Sequence, residues 1–297
     1  MSKTRDILAR FKRVIDRNIN NPRYSHLTRE DMEQSLVDSL NYSLPMLLGN
    51  EYQSFYAYYD NDGELKIEVT RTWSTNEDIR YYFFELGLLS EHNIVLILKE
   101  FQSYLDYAES NILFHKIKTL KNSLIYGSVI RYVNDEATVE FMTDDGEVMY
   151  GFCSKRHLLE EERSFEALRK EDIKLFYIRD IQLLKNSRLD IRLNTRSKRI
   201  PELLLKKYIQ YYGYNIDDYR YKCIYRVPGK FCRIVTLNYI DKDIINSIQD
   251  ELHSEVIQVL CIKDESLIRD FNINKLSYEQ LASIILKNKK KKKPFNL

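Results

Sequence analysis

Apolar residues recur at helical spacing from the first turns of the chain. Ile7, Leu8, Phe11, Val14 and Ile15 predict an amphipathic helix with a basic polar face over residues 1–20, ended by Asn20, Asn21 and Pro22. Thr28 and Asp31 have the form of a capping box, with Asp in place of Glu. They open a second helix whose Met32, Leu36, Val37, Leu40, Leu44 and Leu47 share one face, with Pro45 and Gly49 expected to close it. The pattern then alternates. Residues 52–59 read as an aromatic-rich strand, Asp60-Asn61-Asp62-Gly63 as a turn, and Leu65, Ile67 and Val69 as its partner. That turn begins like a calcium loop, but no Glu stands at the loop's twelfth position, so a hairpin turn is the better reading. Residues 72–90 favour neither period. From 91 to 120, Ile94, Leu98, Phe101, Leu105, Ala108 and Ile112 make a four-three stripe. It predicts one long helix, used in a core or between domains, with a coiled-coil dimer as the alternative.

After 123 the period changes to two. Val129 and Tyr132 belong to a first strand and Val139 and Phe141 to a second. Asp144-Asp145-Gly146 is a turn, and Met149 to Cys153 is a third strand. A Glu- and Arg-rich insert at 160–171 precedes a fourth strand at 173–184 and a fifth at 188–194. In the fifth, Leu189, Ile191 and Leu193 face one way, and Arg188, Asp190, Arg192 and Asn194 the other. Five short strands with one longer connection before the fourth point to an OB-type barrel. Beyond it lie a helix at 201–213 opened by Pro201-Glu202, strands around Pro228-Gly229, a helix at 243–252 and a strand at 256–262: a small α+β module. Ser277 and Gln280 form a last candidate capping box, and Lys289–Lys293 a basic tail suited to a solvated role or to nonspecific phosphate attraction.

Composition narrows the function classes. The 297 residues hold 46 Lys+Arg against 44 Asp+Glu, a net charge of +2, so any nucleic-acid surface must come from local clustering. The four cysteines show no CxxC spacing, which fits a reducing cytoplasm rather than a zinc site or disulfide framework. No apolar signal region or membrane-length run occurs. With only eight glycines and no phosphate-cradling glycine loop, no cofactor is suggested. No cluster of carboxylates on adjacent strands suggests a hydrolytic metal site, so no catalytic residues are assigned.

Candidate binding residues converge instead. OB-type barrels hold single strands by stacking bases on aromatics and tracking the backbone with cations. Tyr150 and Phe152 share a strand face. Lys155, Arg156 and His157 follow at the strand's exit, and Arg192 and Arg196 close the other side. A second cluster of Lys198, Arg199, Arg226, Lys230 and Arg233 surrounds the Pro-Gly turn and the barrel-to-module junction. It would position RNA without reading its sequence.

In order and motif the chain resembles the bacterial transcription elongation and termination factor NusA family. YGSVIRYVNDEATVEF and GFCSKRHLL resemble the first and third strands of that family's ribosomal S-one-like barrel. SKRIPELLLKKYI resembles its barrel-to-KH junction, and KCIYRVPGKFCRIV with DIINSIQDELHSEVIQVL its first KH module. The resemblance implies an α+β multidomain protein: a polymerase-binding domain over 1–120 ending in a long linking helix, a five-stranded OB-type barrel over 121–200, a degenerate KH-like module over 201–270 and a basic tail over 271–297. It implies no enzymatic activity, and as partners a multisubunit DNA-directed RNA polymerase and nascent single-stranded RNA, with no membrane and no small-molecule substrate. Two features depart from the family's pattern: Asn238–Lys242, entering the KH helix, lacks the GXXG loop, and the sequence ends where the family's second KH module would be expected to begin. An RNA-processing protein associated with ribonuclease activity, or a translation-associated RNA binder, is the alternative.

Overall fold

A computed structural model describes residues 2–49, 54–72, 79–160, 173–236, 238–253 and 255–261. Nearly all of the 160–171 insert, the Ser277/Gln280 box and the lysine tail lie outside the described residues. The chain divides into two units, Met1–Thr119 with Gln182–Leu189, and Leu120–Ile181 with Asp190–Leu297.

The first unit packs helices α1 (Ser2–Ile19), α2 (Arg29–Leu48) and α3 (Glu91–Ile117) with an antiparallel sheet of β1 (Ser54–Tyr59), β2 (Leu65–Thr72) and β3 (Ile79–Phe83). Ile7, Phe11 and Ile15, one helical turn apart, are the buried stripe of α1. The capping box forms as its sequence predicts: Thr28 Oγ1 accepts from the Asp31 N–H (3.2 Å), and Asp31 Oδ2 accepts from the Thr28 N–H (2.8 Å). Pro45 does not end α2, as its sequence position suggested. The helix runs on to Leu48, because Leu44, Leu47 and Leu48 pack into the core and offset the hydrogen bond that a proline cannot donate. In α3, Ile94, Ile97, Phe101 and Leu105 are buried, and Leu98, Ala108 and Ile112 pack beside them. The stripe that would suit a coiled coil is therefore used against the chain's own core. Each such fully buried aliphatic side chain contributes about 1.5–3 kcal/mol.

In the sheet, Phe55, Ala57, Ile67 and Val69 point to that core. The other face shows Tyr56, Tyr81 and Phe83, at 62%, 72% and 66% exposure. Residues 79–83, in the stretch whose period was indeterminate, pair with β2. The Asp60 turn is a hairpin: Asp60 Oδ1 accepts from the Asp62 and Glu64 N–H groups (3.0 and 2.9 Å), and Lys66 pairs with its carboxylate. Gly63 sits at φ +74, the left-handed backbone the turn requires.

The second unit contains a closed barrel of β4 (Leu124–Val133), β5 (Glu136–Met142), β6 (Val148–Ser154), β7 (Lys174–Leu183) and β8 (Leu189–Asn194), in the order β4-β5-β6-β8-β7. That architecture is consistent with an OB-type barrel. Asn134 and Asp135 both have positive φ, which allows the tight reversal joining β4 to β5. Ile125, Ala137, Val139, Phe141, Cys153, Phe176, Ile178, Ile191 and Leu193 are buried. At Gly151 a Cβ would lie 2.7 Å from Leu193 Cδ1, so the strand must present hydrogen there.

The same unit continues through α4 (Arg199–Tyr211), β9 (Tyr221–Val227), β10 (Phe231–Thr236), α5 (Lys242–Glu251) and β11 (Val256–Cys261). The sheet order is β11-β10-β9, with β10 parallel to β11 and antiparallel to β9. Ile200, Leu204, Leu205 and Ile209 of α4 and Ile244 and Ile248 of α5 share one core with Cys223, Cys232, Ile234 and Ile257. Tyr177 of β7 belongs to that core, and Leu124 and Leu175 pack on it. Barrel and module are thus joined by apolar packing rather than by a hinge.

A candidate nucleic-acid interface

Alternation on β6 turns Met149, Gly151 and Cys153 into the barrel and leaves Tyr150 and Phe152 on the outer face. Phe152 stands opposite Arg192 in the parallel β6–β8 register, and the Arg192 guanidinium lies 5.8 Å from its ring centroid. Arg192 is already bracketed by carboxylates, Glu136 at 2.6 Å and Asp190 at 2.7 Å. Burial opposes its charge, but these two partners hold its pKa above the usual guanidinium value. Its charge is therefore largely compensated, and it braces the phenyl ring more than it attracts phosphate. Tyr150 hydrogen-bonds Glu140, which draws its pKa upward.

At the exit of β6 the short turn Lys155–His157 carries three basic side chains. Lys155 pairs with Asp135 at 2.9 Å. His157 is fixed through its carbonyl, which accepts from the Thr195 N–H (2.9 Å) and from Thr195 Oγ1 (3.0 Å). Its ring Nε2 accepts from Arg179 Nη1 at 2.8 Å, so the ring is unprotonated at that nitrogen. Arg196 Nη1 reaches the Arg156 carbonyl at 3.5 Å. Burial, then the charges of Arg179, Arg156 and Arg196, hold His157 below the usual imidazole value. None of these three arginines makes an ion pair among the described residues. Arg179 was not among the sequence candidates. The signal was there in alternation, since it points outward from β7 between the buried Ile178 and Ile181.

The second sequence cluster does not assemble as a surface. Arg226 is a correction: its side chain is 3% exposed and turned inward, not toward RNA. Nε and Nη2 each donate to Glu255 at 2.9 Å, and Nη1 donates to the carbonyls of Thr195 (3.2 Å) and Ser197 (2.7 Å). Glu255, 1% exposed, also accepts from the Gly229 N–H at 3.1 Å. Arg226 therefore pins the module to the chain leaving the barrel. Lys198 Nζ donates to the Ile224 carbonyl (3.0 Å), and Arg199 pairs with Glu202 (2.9 Å). Lys230 is exposed, and Arg233 Nε donates to Gln258 (2.8 Å) with its guanidinium 5.7 Å from the Phe231 centroid.

A polar knot ties β4, α4 and α5 together. The Glu251 carboxylate accepts from Tyr126 (2.7 Å), Lys207 (2.8 Å) and Tyr208 (2.8 Å). Burial pushes Glu251 up, but hydrogen bonds from Lys207, Tyr126 and Tyr208 bring it below the usual carboxylate value. Burial and the bond to Glu251 push Tyr208 up to about 12. At the start of α5, Asp241 caps the helix by accepting from the Asp243 N–H (3.0 Å). On the far side of α4, a groove of about 620 Å³ mixes Arg199, Lys206, Arg220 and Lys222 with Glu202 and Asp217, so its charges partly offset.

Among the described residues no group of three or more His, Cys, Asp or Glu side chains could hold a metal ion, and no helix is long and apolar enough to cross a membrane. No family model and no curated protein matches the chain.

Proposed function

We propose that this chain is a non-catalytic transcription factor of the NusA type, whose first unit docks on a multisubunit RNA polymerase and whose second unit holds the emerging single-stranded transcript. The observation that carries the reading is the barrel's outer face: Tyr150 and Phe152 stand exposed or half-exposed on β6, and Arg156, Arg179 and Arg196 gather at its exit with no acidic partner among the described residues. Exposed rings stack bases whatever their sequence, and cations track the backbone, the division of labour expected of a nonspecific single-strand binder.

The α4-β9-β10-α5-β11 module is read as a degenerate KH fold. Its helix entry offers no glycine for close approach to a backbone, and Asp241 there is committed to capping α5. The module then serves as a brace for the barrel more than as an RNA clamp, consistent with Arg226 facing inward. Docking on polymerase is supported by Tyr56, Tyr81 and Phe83, which lie on the solvent face of the first unit's sheet. Tethering to polymerase would raise the local concentration of transcript enough for weak RNA contacts to act.

The test has two arms on the full chain. In fluorescence anisotropy with single-stranded and duplex RNA of one length, the single strand should bind more tightly, and Phe152→Ala should weaken it by about 1–3 kcal/mol. Equal affinity for both RNAs, or an indifferent Phe152→Ala variant, refutes the stacking role. In affinity capture from the native source, polymerase subunits should be recovered by the wild type and depleted by Tyr81→Ser/Phe83→Ser. Recovery of ribosomes without polymerase overturns the transcriptional assignment.

A further inference from the structure

Three cations in and beside the barrel are neutralised by neighbouring carboxylates: Arg192 with Glu136 and Asp190, Lys155 with Asp135, and Lys121 with Asp180. The corner where the β6 exit, β7 and the β8 exit meet is different. There Arg156, Arg179 and Arg196 converge on His157 with no carboxylate among the described residues to offset them. Three like charges around one ring repel one another, so an anion entering the corner relieves a cost that the folded chain otherwise carries.

The corner is built rather than incidental. Thr195 holds the His157 backbone by two hydrogen bonds, and the Arg196 N–H donates to Asn194 Oδ1 at 2.6 Å. The side chains come from three different segments, so their approach is set by barrel closure. Its position also matters. Asn194 and Arg192 share the outer face of β8 about 7 Å apart, and Arg192 lies against the Phe152 ring while Asn194 Nδ2 lies 3.4 Å from His157 Nδ1. A stacking ring and the cationic corner are therefore two points on one stripe.

We propose that Arg156, Arg179, Arg196 and His157 form a clamp for one backbone phosphodiester of single-stranded RNA, next to the nucleotide whose base stacks on Phe152. This rests on the single-strand reading above and gives it a specific grip. Guanidiniums suit the task because their fork of N–H donors matches the phosphate oxygens. His157 adds a proton linkage. Its Nε2 accepts from Arg179, and among the described residues the charged groups facing it are Arg156, Arg179 and Arg196, all cationic, with the neutral Asn194 amide on β8. A phosphate draws Arg179 away and supplies negative charge, so His157 takes up a proton on binding. Affinity should then rise as pH falls from 8 to 6.

The experiment uses the full chain and a fluorescein-labelled nine-residue oligouridylate, with a matched oligomer carrying uncharged methylphosphonate linkages. Arg179→Gln should weaken the oligouridylate about tenfold and reduce the slope of log affinity against log salt by about 0.7, one phosphate contact. It should leave the methylphosphonate oligomer unaffected. Phe152→Ala should weaken both oligomers and keep the slope. Lys99→Gln, an exposed cation on α3, is the control and should change neither. The pH-dependent gain should vanish in His157→Gln. If wild type binds RNA but Arg179→Gln keeps the wild-type slope, or Lys99→Gln lowers it equally, the clamp is refuted while the RNA reading stands. If wild type binds no RNA, yet inorganic phosphate raises the His157 pKa followed by NMR, the corner takes free phosphate and the RNA source is wrong. Failure of both removes the clamp and the RNA reading together.

Discussion

Replacing Arg226 tests the claim that a residue in the basic cluster is structural. In Arg226→Ala the Glu255 carboxylate, 1% exposed, keeps among the described residues only the Gly229 N–H as partner, and the Thr195 and Ser197 carbonyls each lose a donor. Removing one member of a buried ion pair costs about 3–5 kcal/mol, because the charge left behind has neither water nor a counter-ion. Removing both charges is different. Arg226→Met with Glu255→Leu leaves neither charge of this pair, and the remaining loss is the hydrogen bonds of the Thr195 and Ser197 carbonyls and of the Gly229 N–H, about 1 kcal/mol each. The double variant should therefore be more stable than the single one, by about 1–3 kcal/mol. Hydrogen exchange of the β9, β10 and β11 amides reads the opening free energy of this module directly, without assuming that both units unfold together. A single variant within 1 kcal/mol of wild type, or a double variant as unstable as the single, would refute the pin. If RNA affinity of the folded Arg226→Ala protein fell with a reduced salt slope, Arg226 would be a phosphate ligand after all.

Three further outcomes follow from the geometry. Glu251 has a lowered folded-state pKa, so its contribution to stability is complete above the ordinary carboxylate value and is lost as pH falls through the folded one. Urea midpoints measured across that acid limb should therefore fall less steeply in Glu251→Gln, which should already be weakened at neutral pH. Gly151→Ala sets a methyl 2.7 Å from Leu193 Cδ1 and should cost about 1–3 kcal/mol in urea denaturation, with partial recovery in Gly151→Ala/Leu193→Val. Thr28→Ala removes the acceptor for the Asp31 N–H and should lower first-unit stability by about 1 kcal/mol, read by exchange of the α2 amides.

Much of the architecture was legible because its causes are local. The Thr28 box, the Asp60 and Asp144 turns, the stripe of α3 and the alternation of β5, β6 and β8 are set by neighbours within a few residues, and each has its expected local form. Pro45 was misread because the penalty of an internal proline is local, whereas what offsets it is the burial of Leu44 and Leu47 against other elements. At the candidate site, spacing put Tyr150 and Phe152 on one face correctly. It could not say that Arg192 would be bracketed by Glu136, 56 residues away, or that Arg226 would meet Glu255, 29 residues away.

The chain's own pattern determined which residues turn inward on each element, where the turns fall, and that basic and aromatic residues gather around β6 and β8. Barrel closure decided the rest, because it sets which cations meet carboxylates and which meet only one another. Charge pairing acts over a few ångströms in space and is blind to sequence distance. That is why Arg179, unremarkable in the string FYIRDIQ, stands beside His157 while Arg226, in the most conspicuous basic motif, is enclosed.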